Sequence, residues 1–435
     1  MSNTSIPILL GRALSALAPG AIMVAYSGGA DSHVLLHALA QNADARQRGL
    51  RALHIDHGLH ADSSRWVEHC RKIAAQLDVA FDGVCVDVER QGGTGIEDAA
   101  RKARMAAFAA QLQPGEILAL AQHRDDQAET VLLKLLRGAG PQGLGGMRAW
   151  RAHGDGFIWR PLLDLPRTAL VDYARSQDLR WVDDPSNADT RLRRNFLRNE
   201  ILPRLGERWT DAHAALAHSA AWARAAADFV DDEARKALAR LQGLHPATLA
   251  WRGWLELPDA LRDPVLRLWL RELALDEPAH FHVTEIERQL NEAASDRQPC
   301  VSFAQTELRR HRDLLYAMRP APPLPVAWQV DWDGSATLAL PGGGSLQLAP
   351  CLRLAEPLQV RCRRGGERIK PAAALHHREL RLLLQESGVP PWQRGRIPLI
   401  YVRDELIAVA DLYLSDAGRA FCETLDARFV WSPQS

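Results

Sequence analysis

Short apolar runs alternate with segments of helical periodicity over about the first 160 residues of the chain. The runs predict strands over residues 21–26, 51–55, 80–86 and 117–121. The segments between them predict helices over residues 32–40, 65–77, 95–112 and 125–136. Strands that alternate with helices indicate an α/β fold class, with a parallel sheet covered by helices on both faces. Ligands bind such sheets at the C-terminal ends of the strands, so polar residues there are candidates for chemistry.

The pattern changes beyond the predicted sheet. An Ala- and Leu-rich segment of helical spacing extends to about residue 317, and the proline-rich stretch 319–325 then forms a stiff linker. Short strand-like runs follow it. We therefore predict an α/β domain over 1–210, a helical middle domain over 211–320 and a small α+β domain over 331–435.

Composition narrows the class of protein without identifying it. Hydrophobic residues make up 47% of the chain and charged residues 24%, as in ordinary soluble proteins. We find no signal-peptide pattern, and no apolar run approaches the ~20 residues that cross a bilayer. The 6 cysteines are scattered, which favours a reducing cytoplasm over a disulfide framework. Because 53 basic residues balance 53 acidic ones, only local clusters could attract nucleic acid.

A glycine-containing loop follows the first predicted strand. It consists of Ser27, Gly28, Gly29, Ala30, Asp31 and Ser32. Glycines permit a sharp turn and close backbone approach to a ligand, and the free N–H groups that begin the next helix suit a phosphate. Asp31 would repel that phosphate unless it holds a bridging Mg²⁺. The alternative is a turn that merely ends the strand.

Polar residues also follow the second predicted strand. His54 and Asp56 lie where a sheet of this kind contacts an adenine or a ribose. His54, His57 and His60 also have a spacing that invites a zinc interpretation, but no helix fixes them on one face and no further ligand completes the set. Simple polarity at a strand end is the third interpretation.

Two helical segments carry further candidates. Arg101 and Arg104 are three residues apart, so they share a helix face and could neutralise a phosphate. A solvated basic stripe paired with Glu97 is the alternative.

Asp126 and Glu129 share a face near the start of the next predicted helix. Opposite Asp31 they could bind Mg²⁺ or hold an attacking amine, but the helix dipole alone also favours carboxylates there.

Two basic clusters are candidates for contacts with nucleic acid. The first would adjoin the glycine-containing loop over residues 27–32, and it contains Arg191, Arg193, Arg194 and Arg198. The second lies near the C-terminus and contains Arg361, Arg363, Arg364, Arg368 and Lys370, followed by a rigid Pro-Pro-Trp-Gln-Arg turn. Arginine clusters of this kind suit phosphates, although either could also be a solvated surface.

In combination these motifs resemble the bacterial tRNA(Ile)-lysidine synthetases. The shared runs include S-G-G-A-D-S, H-I-D-H-G-L, I-E-D-A-A-R-K-A-R, H-R-D-D-Q-A-E-T and W-V-D-D-P-S-N, with R-G-G-E and V-P-P-W in the tail. The family belongs to the pyrophosphate-loop (PP-loop) enzymes, which split ATP into AMP and pyrophosphate. The resemblance spans most of the chain and is weakest in the middle segment.

The resemblance implies a ligase that modifies RNA. ATP adenylates the C2 oxygen of the wobble cytidine in the isoleucine tRNA with a CAU anticodon, and the ε-amine of free L-lysine then displaces AMP to give lysidine. The implied cofactors are ATP and Mg²⁺. Residues 1–210 would be the catalytic PP-loop domain, and residues 331–435 would bind tRNA. The enzyme would work in the cytoplasm without a membrane, and a homodimer is left open.

The resemblance also assigns roles to residues of the nucleotide site. The loop over residues 27–32 would bind the pyrophosphate portion of ATP, and His54 and Asp56 would lie near the nucleoside. Asp31 and Asp126 would hold Mg²⁺.

The remaining roles concern lysine and the leaving group. Glu129 would lie near the lysine amine, which must lose a proton before it attacks. Arg101 or Arg104 would stabilise the leaving phosphate, and the sequence does not decide between them. Arg194 would contact tRNA or the phosphates of ATP.

Two rival functions use the same motifs. A PP-loop tRNA thiolase would need a persulfide-carrying cysteine or an iron–sulfur cluster, and the spacing of Cys70 and Cys85 suits neither. A non-catalytic tRNA-binding protein with a degenerate loop would have no need of the acidic set Asp31, Asp126 and Glu129.

Overall fold

A six-stranded sheet organises the N-terminal part of the computed structural model, which describes residues 5–56, 63–86, 96–292, 299–325 and 328–432. Its strands are β1 (Ile22–Ala25), β2 (Leu50–Asp56), β3 (Ala80–Cys85), β4 (Ile117–Ala119), β5 (Trp150–His153) and β6 (Gly156–Trp159). They are ordered β3-β2-β1-β4-β6-β5, and every neighbouring pair is parallel except β5 with β6. The predicted parallel sheet and its four predicted strands are therefore confirmed.

Helices connect these strands and continue beyond them. They are α1 (Ile6–Ser15), α2 (Ala30–Ala40), α3 (Ala43–Gln47), α4 (Ser63–Gln76), α5 (Ile96–Gln111), α6 (Arg124–Leu135), α7 (Pro141–Leu144), α8 (Arg167–Ser176), α9 (Arg193–Phe196), α10 (Leu202–Arg208) and α11 (Ala212–Leu241). A 3₁₀ turn covers Pro185–Ala188, and a π-helical turn, Leu197–Ile201, joins α9 to α10. The four helices predicted from periodicity correspond to α2, α4, α5 and α6. None of the described helices is long and apolar enough to cross a bilayer.

Helix α2 is the structural centre of this sheet domain. Val34, Leu35, Leu36 and Leu39 are fully buried, and nearly all of its other residues are largely buried. A helix that is apolar on every side must be covered on every side, and α2 packs against α1, α8 and the sheet. The loop before α2 is thus anchored to the most buried helix of the domain.

The chain divides into two compact units, Met1–Phe229 and Val230–Ser435. The first part of the second unit combines helices with a four-stranded antiparallel sheet, ordered β7-β10-β9-β8. These elements are β7 (Thr248–Ala250), α12 (Trp251–Leu255), α13 (Asp259–Glu272), α14 (His280–Glu292), β8 (Cys300–Phe303), β9 (Thr306–His311) and β10 (Leu314–Met318). Trp254 and Trp269 are fully buried in its core.

The C-terminal part of the second unit is an α+β module with hydrophobic clusters of its own. A five-stranded antiparallel sheet is ordered β11-β14-β17-β18-β19, and smaller sheets pair β12-β13-β20 and β15-β16. The strands are β11 (Gln329–Trp332), β12 (Leu338–Ala339), β13 (Ser345–Ala349), β14 (Leu358–Arg361), β15 (Arg368–Ile369), β16 (Arg378–Glu379), β17 (Leu399–Val402), β18 (Glu405–Val409), β19 (Tyr413–Leu414) and β20 (Arg428–Ser432). The helices are α15 (Leu380–Glu386), α16 (Pro391–Arg394) and α17 (Asp416–Leu425). The predicted α+β character of this region is confirmed.

Candidate active site

The loop between β1 and α2 has the strand–turn–helix shape that its sequence predicts. Gly28 has a φ of +83°, and a Cβ atom there would lie 2.9 Å from the sulfur of Cys70, so the position requires glycine. The Ser32 hydroxyl donates to the carbonyl of Gly29 at 3.0 Å and accepts from the N–H of Ser27 at 3.2 Å. Ser32 thus braces the loop, while Ser27 is exposed beside the N-terminal amides of α2. Such amides and hydroxyls are the donors that bind a phosphate.

His54 lies beneath this loop. It is buried, and its Nδ1 is 2.9 Å from the carbonyl oxygen of Tyr26 and 3.5 Å from Cys70 Sγ. Burial lowers the pKa of His54, so the ring is neutral at pH 7. Asp56 ends β2 and is partly exposed. Contacts of either residue with a nucleoside stay a prediction, and the remaining histidines of that motif, 57 and 60, lie outside the described residues.

Three carboxylates converge on the buried imidazole of His123, which directly precedes α6. Its Nε2 is 3.5 Å from Asp31 Oδ2 and 3.4 Å from Asp126 Oδ2, while Nδ1 is 3.4 Å from Asp125 Oδ2. Burial alone would lower the pKa of His123, but the nearby carboxylates of Asp125, Asp31 and Asp126 raise it to about 9. His123 is therefore a cation at pH 7, and it holds Asp31 and Asp126 at the same ring nitrogen.

Asp31 keeps one carboxylate oxygen open. Its Oδ1 is buried and has no hydrogen-bond partner in the described part of the chain, and Arg167 Nε is 3.9 Å away. Burial alone would raise the pKa of Asp31, but His123, Arg167 and Arg198 lower it, so the group is ionised. Mg²⁺ is often held by one or two carboxylates together with phosphate oxygens and water, and an open, ionised Asp31 fits that role.

The described residues offer no complete set of protein ligands at this position. Among the described residues there is no group of three or more His, Cys, Asp or Glu side chains that could hold a metal ion. A metal bound at Asp31 would therefore take most of its ligands from the nucleotide and from water.

Asp126 and Glu129, which we call the acidic pocket, are already neutralised. Glu129 accepts from Arg194 Nε and from Arg198 Nε, each at 2.6 Å, and its side chain is only 1% exposed. Asp126 Oδ1 accepts from Nη2 of the same two arginines at 3.2 and 2.9 Å, and its Oδ2 accepts from the N–H of His123 at 3.0 Å. The predicted proximity of Asp126 and Glu129 on α6 is confirmed, and two guanidinium groups fill the pocket between them.

Arg104 on α5 approaches the acidic pocket as well. Its side chain reaches solvent, yet the surrounding protein desolvates the guanidinium and lowers its pKa, as do the charges of Arg101 and Arg194. Burial and the positive charges of Arg151 and Arg101 lower the pKa of Arg160 to about 10. This coupling indicates that Arg101 lies close to Arg160. Of the two candidates, Arg104 is the one whose charge is coupled to Arg194.

Several residues of this site were not singled out in the sequence. His123 and Asp125 belong to the H-R-D-D motif but carried no predicted role, and Arg167 and His213 lay in segments with no motif. His213 Nε2 is 3.5 Å from Asp125 Oδ1, which ties the start of α11 to the cluster. Arg198 belongs to the first basic cluster but had no predicted role of its own, although its spacing of four from Arg194 places both on one helix face.

Family models match most of the chain. The "PP-loop domain" matches residues 5–205, the "TilS substrate binding domain" matches residues 249–316, and the "TilS substrate C-terminal domain" matches residues 358–431. The first of these matches contains the whole cluster around His123 apart from His213.

Curated relatives match nearly end to end. The chain is 44% identical over 426 residues to a tRNA(Ile)-lysidine synthase of Xanthomonas campestris, with 96% of each chain covered. It is 42% identical over 420 residues to the enzyme of the same name from Alkalilimnicola ehrlichii, with 93% of each covered. The corresponding Pseudomonas aeruginosa protein is 41% identical over 443 residues, covering 97% of this chain and 96% of that one.

Solved structures show a more distant likeness. The U34-tRNA thiolase NcsA from Methanococcus maripaludis aligns with a TM-score of 0.38 and 16% identity, over 47% of this chain and 72% of that one. At this level the likeness does not bear on the reaction.

Proposed function

The chain belongs to the tRNA(Ile)-lysidine synthase family, and we propose that it joins free L-lysine to the wobble cytidine of the isoleucine tRNA with a CAU anticodon. The C2 oxygen of the cytidine attacks the α-phosphorus of ATP, and pyrophosphate leaves. The ε-amine of lysine then attacks C2, and AMP departs with that oxygen. The observation that supports this reaction best is the acidic pocket joined through His123 to Asp31 beside the PP-loop.

ATP would bind at the loop between β1 and α2. The exposed hydroxyl of Ser27 and the amides that begin α2 would hold the pyrophosphate portion. Asp31, and Asp126 once released by its arginines, would hold Mg²⁺, which neutralises phosphate charge when bound. Without the metal, His123 holds Asp31 and Asp126 together, because its Nε2 atom lies within 3.5 Å of both carboxylates.

Lysine would enter the acidic pocket by replacing a guanidinium group. An alkylammonium has the same charge as the guanidinium of Arg198, which Glu129 binds at 2.6 Å. Glu129 would then hold the ε-amine and accept its proton as the amine attacks. A buried carboxylate left without a cation would be costly, so the pocket is occupied either by arginine or by lysine.

The displaced arginines would have a second use. Arg194, with Arg104 near it, would face the phosphate whose negative charge develops as AMP leaves. Arg101 would contribute to the field at longer range. The same cations could also meet the phosphates of tRNA, as predicted for Arg194.

The thiolase alternative finds little support at the loop. Cys70 is buried against Gly28 and His54, and burial raises its pKa to about 12, which disfavours a thiolate and hence a persulfide carrier. We place the reaction in the cytoplasm, where ATP, lysine and tRNA meet. A homodimer stays a prediction.

Substitutions in the acidic pocket test this proposal. Glu129→Gln and Asp126→Asn preserve size and hydrogen-bonding capacity but remove the charge that lysine needs. We expect each to reduce lysine transfer by about 10²- to 10⁴-fold, with tRNA affinity within about twofold of that of the wild-type chain. Glu68→Gln, at an exposed carboxylate of α4, serves as the matched control. Wild-type transfer rates in both pocket variants would contradict the proposal.

A further inference from the structure

The two parts of the second unit meet around the turn between β9 and β10. Arg312 lies in this turn with a φ of +54°, and its Nη2 donates to the carbonyl oxygen of Gln385, at the end of α15, at 2.8 Å. The indole ring of Trp392 on α16 packs edge-on against Tyr316 of β10, with centroids 5.4 Å apart, and against His311 of β9 at 6.0 Å. The C-terminal module is therefore joined to the middle sheet through defined contacts, not merely tethered by the linker.

Arginines from both modules gather at this junction. Arg394, next to the Trp392 turn, donates through Nε to the carbonyl of Val389 at 2.9 Å. Desolvation lowers the pKa of Arg394, and so do the positive charges of Arg363, Arg312 and Arg381. Three other guanidinium groups thus lie within electrostatic reach of Arg394.

Three of these cations pair with no carboxylate among the residues that the structure describes. Arg363 pairs with Glu367 at 3.2 Å. Within the described residues, Arg312, Arg381 and Arg394 form no ion pair with a carboxylate, and Arg312 and Arg394 donate hydrogen bonds to backbone carbonyls. We call these three residues the arginine junction. In a chain whose 53 basic and 53 acidic residues balance, an uncompensated group of this kind is a local anion site.

The basic run that the sequence singled out is compensated in part. Arg361 stacks on Tyr401 at 4.4 Å and pairs with Asp404 at 3.4 Å, and Lys370 lies 3.7 Å from Asp416. Arg364 and Arg368 of the same run donate instead to Gln329 Oε1 and to the carbonyl oxygen of His377, each at 3.2 Å. The junction differs from this run in that its uncompensated arginines are distant in sequence and come from both modules.

Two buried polar atoms mark the same place. The Nε1 atom of Trp392 and the Nε2 atom of His311 have no hydrogen-bond partner in the described part of the chain. Buried donors without partners are rare in folded proteins and need an explanation. An anionic oxygen that reached the indole N–H of Trp392, two residues before Arg394, would satisfy this donor.

We propose that the arginine junction binds a phosphodiester of the tRNA backbone. The guanidinium fork matches the geometry of a phosphate better than an ammonium does, and arginine needs no proton exchange to stay charged. Because Arg312 belongs to the middle module and Arg381 and Arg394 to the C-terminal one, a phosphate held by all three would also fix the two modules to each other. This inference rests on the proposed function for its partner, but it specifies where the RNA is held.

The test measures binding of the full-length chain to a transcript of the isoleucine tRNA at salt concentrations from about 50 to about 200 mM. We expect Arg381→Gln combined with Arg394→Gln to raise Kd by about tenfold at the lowest salt. The slope of log Kd against log salt should fall by roughly 0.7 to 0.9 for each phosphate that the variant no longer binds. Arg381→Lys should retain the slope, because it keeps the charge.

The control is Arg403→Gln, which removes an exposed arginine of the same module that pairs with Glu356. Arg381→Gln alone separates binding from folding, since Arg381 is exposed on the surface of α15. Unchanged affinity and salt slope in the double variant would overturn the inference. So would a loss of binding to inorganic phosphate without any loss of tRNA binding, which would indicate a small-anion site. If lysine transfer fails in the wild-type chain while the junction still sets the salt slope, the reaction is wrong and the RNA site stands.

Discussion

At the scale of single residues, the acidic pocket shows how much sequence spacing reveals. The interval of three between Asp126 and Glu129 predicts that they share a helix face, and they do. The partner Arg198 lies 69 residues from Glu129, and no local pattern could pair them. The positive charge of His123 was equally unpredictable from sequence, because it depends on three carboxylates that the fold brings together.

Arg198 should compete with lysine in the absence of tRNA. Arg198→Ala removes one guanidinium from Glu129 and leaves the carboxylate in need of a cation, so we expect lysine to bind about tenfold more tightly. Equilibrium dialysis with labelled lysine measures this directly. Arg204→Ala, at an exposed arginine of α10 that pairs with Glu200, is the control. Weaker or unchanged lysine binding in Arg198→Ala would show that the pocket is not the lysine site.

The buried histidines of α2 make stability depend on pH. Burial lowers the pKa of His33 to about 4, with further lowering by His37 and His69. The unfolded chain, with a histidine pKa of about 6.5, binds the proton more readily, so stability falls as pH drops from about 6.5 towards 4. This one group accounts for about 2 kcal/mol between pH 7.5 and pH 5.

Urea unfolding at these two pH values checks the effect. His33→Gln cannot titrate, so its loss of stability on acidification should be smaller by about that amount. His376→Gln, at an exposed histidine, should match the wild-type chain. An equal loss in His33→Gln and the wild type would contradict the assignment.

At the scale of elements, the apolar runs predicted the central strands well because a parallel strand is buried on both faces and reads as continuous hydrophobicity. The four-stranded sheet β7-β10-β9-β8 was missed within a segment predicted to be helical. Its strand β9, Thr306–His311, alternates buried and partly exposed positions but places Arg310 at a buried one, so its pattern lacks a clean apolar face. The shape of the PP-loop was predictable, whereas its support by Cys70 and His54 was not.

Gly28→Ala tests the loop geometry. An alanine would have to adopt φ near +83° and place its Cβ 2.9 Å from Cys70 Sγ. The strained backbone alone costs roughly 1–2 kcal/mol, so we expect a lower Tm and at least tenfold weaker ATP binding.

A second substitution separates the backbone strain at Gly28→Ala from the steric contact of its Cβ atom with the sulfur of Cys70. Cys70→Ala in the Gly28→Ala background removes the contact with sulfur but not the backbone strain, so it should restore ATP binding only in part. Gly140→Ala is the control, because a Cβ atom there meets nothing within 4 Å. Normal ATP binding by Gly28→Ala would mean that the loop does not hold the pyrophosphate as proposed.

At the scale of the whole molecule, the chain is electrically neutral, yet its proposed substrate is a polyanion. The balance is local: three cations of the basic run over residues 361–370 pair with carboxylates, whereas in the described part of the chain the arginine junction has no such pair. Composition could not reveal this division, since it depends on which carboxylates the fold places beside which arginines. The parallel sheet near the N-terminus and the α+β character of the C-terminal region were accessible from sequence, because the hydrophobic pattern changes between them. The division into three domains stays a prediction.

The most direct test of the central claim is ATP-dependent transfer of radiolabelled lysine to a transcript of the isoleucine tRNA with a CAU anticodon. Methionine tRNA, which shares that anticodon, is the control. The proposed function predicts label on the isoleucine tRNA alone, together with release of AMP and pyrophosphate. Absence of label on either tRNA, by a chain that still binds ATP, would contradict it.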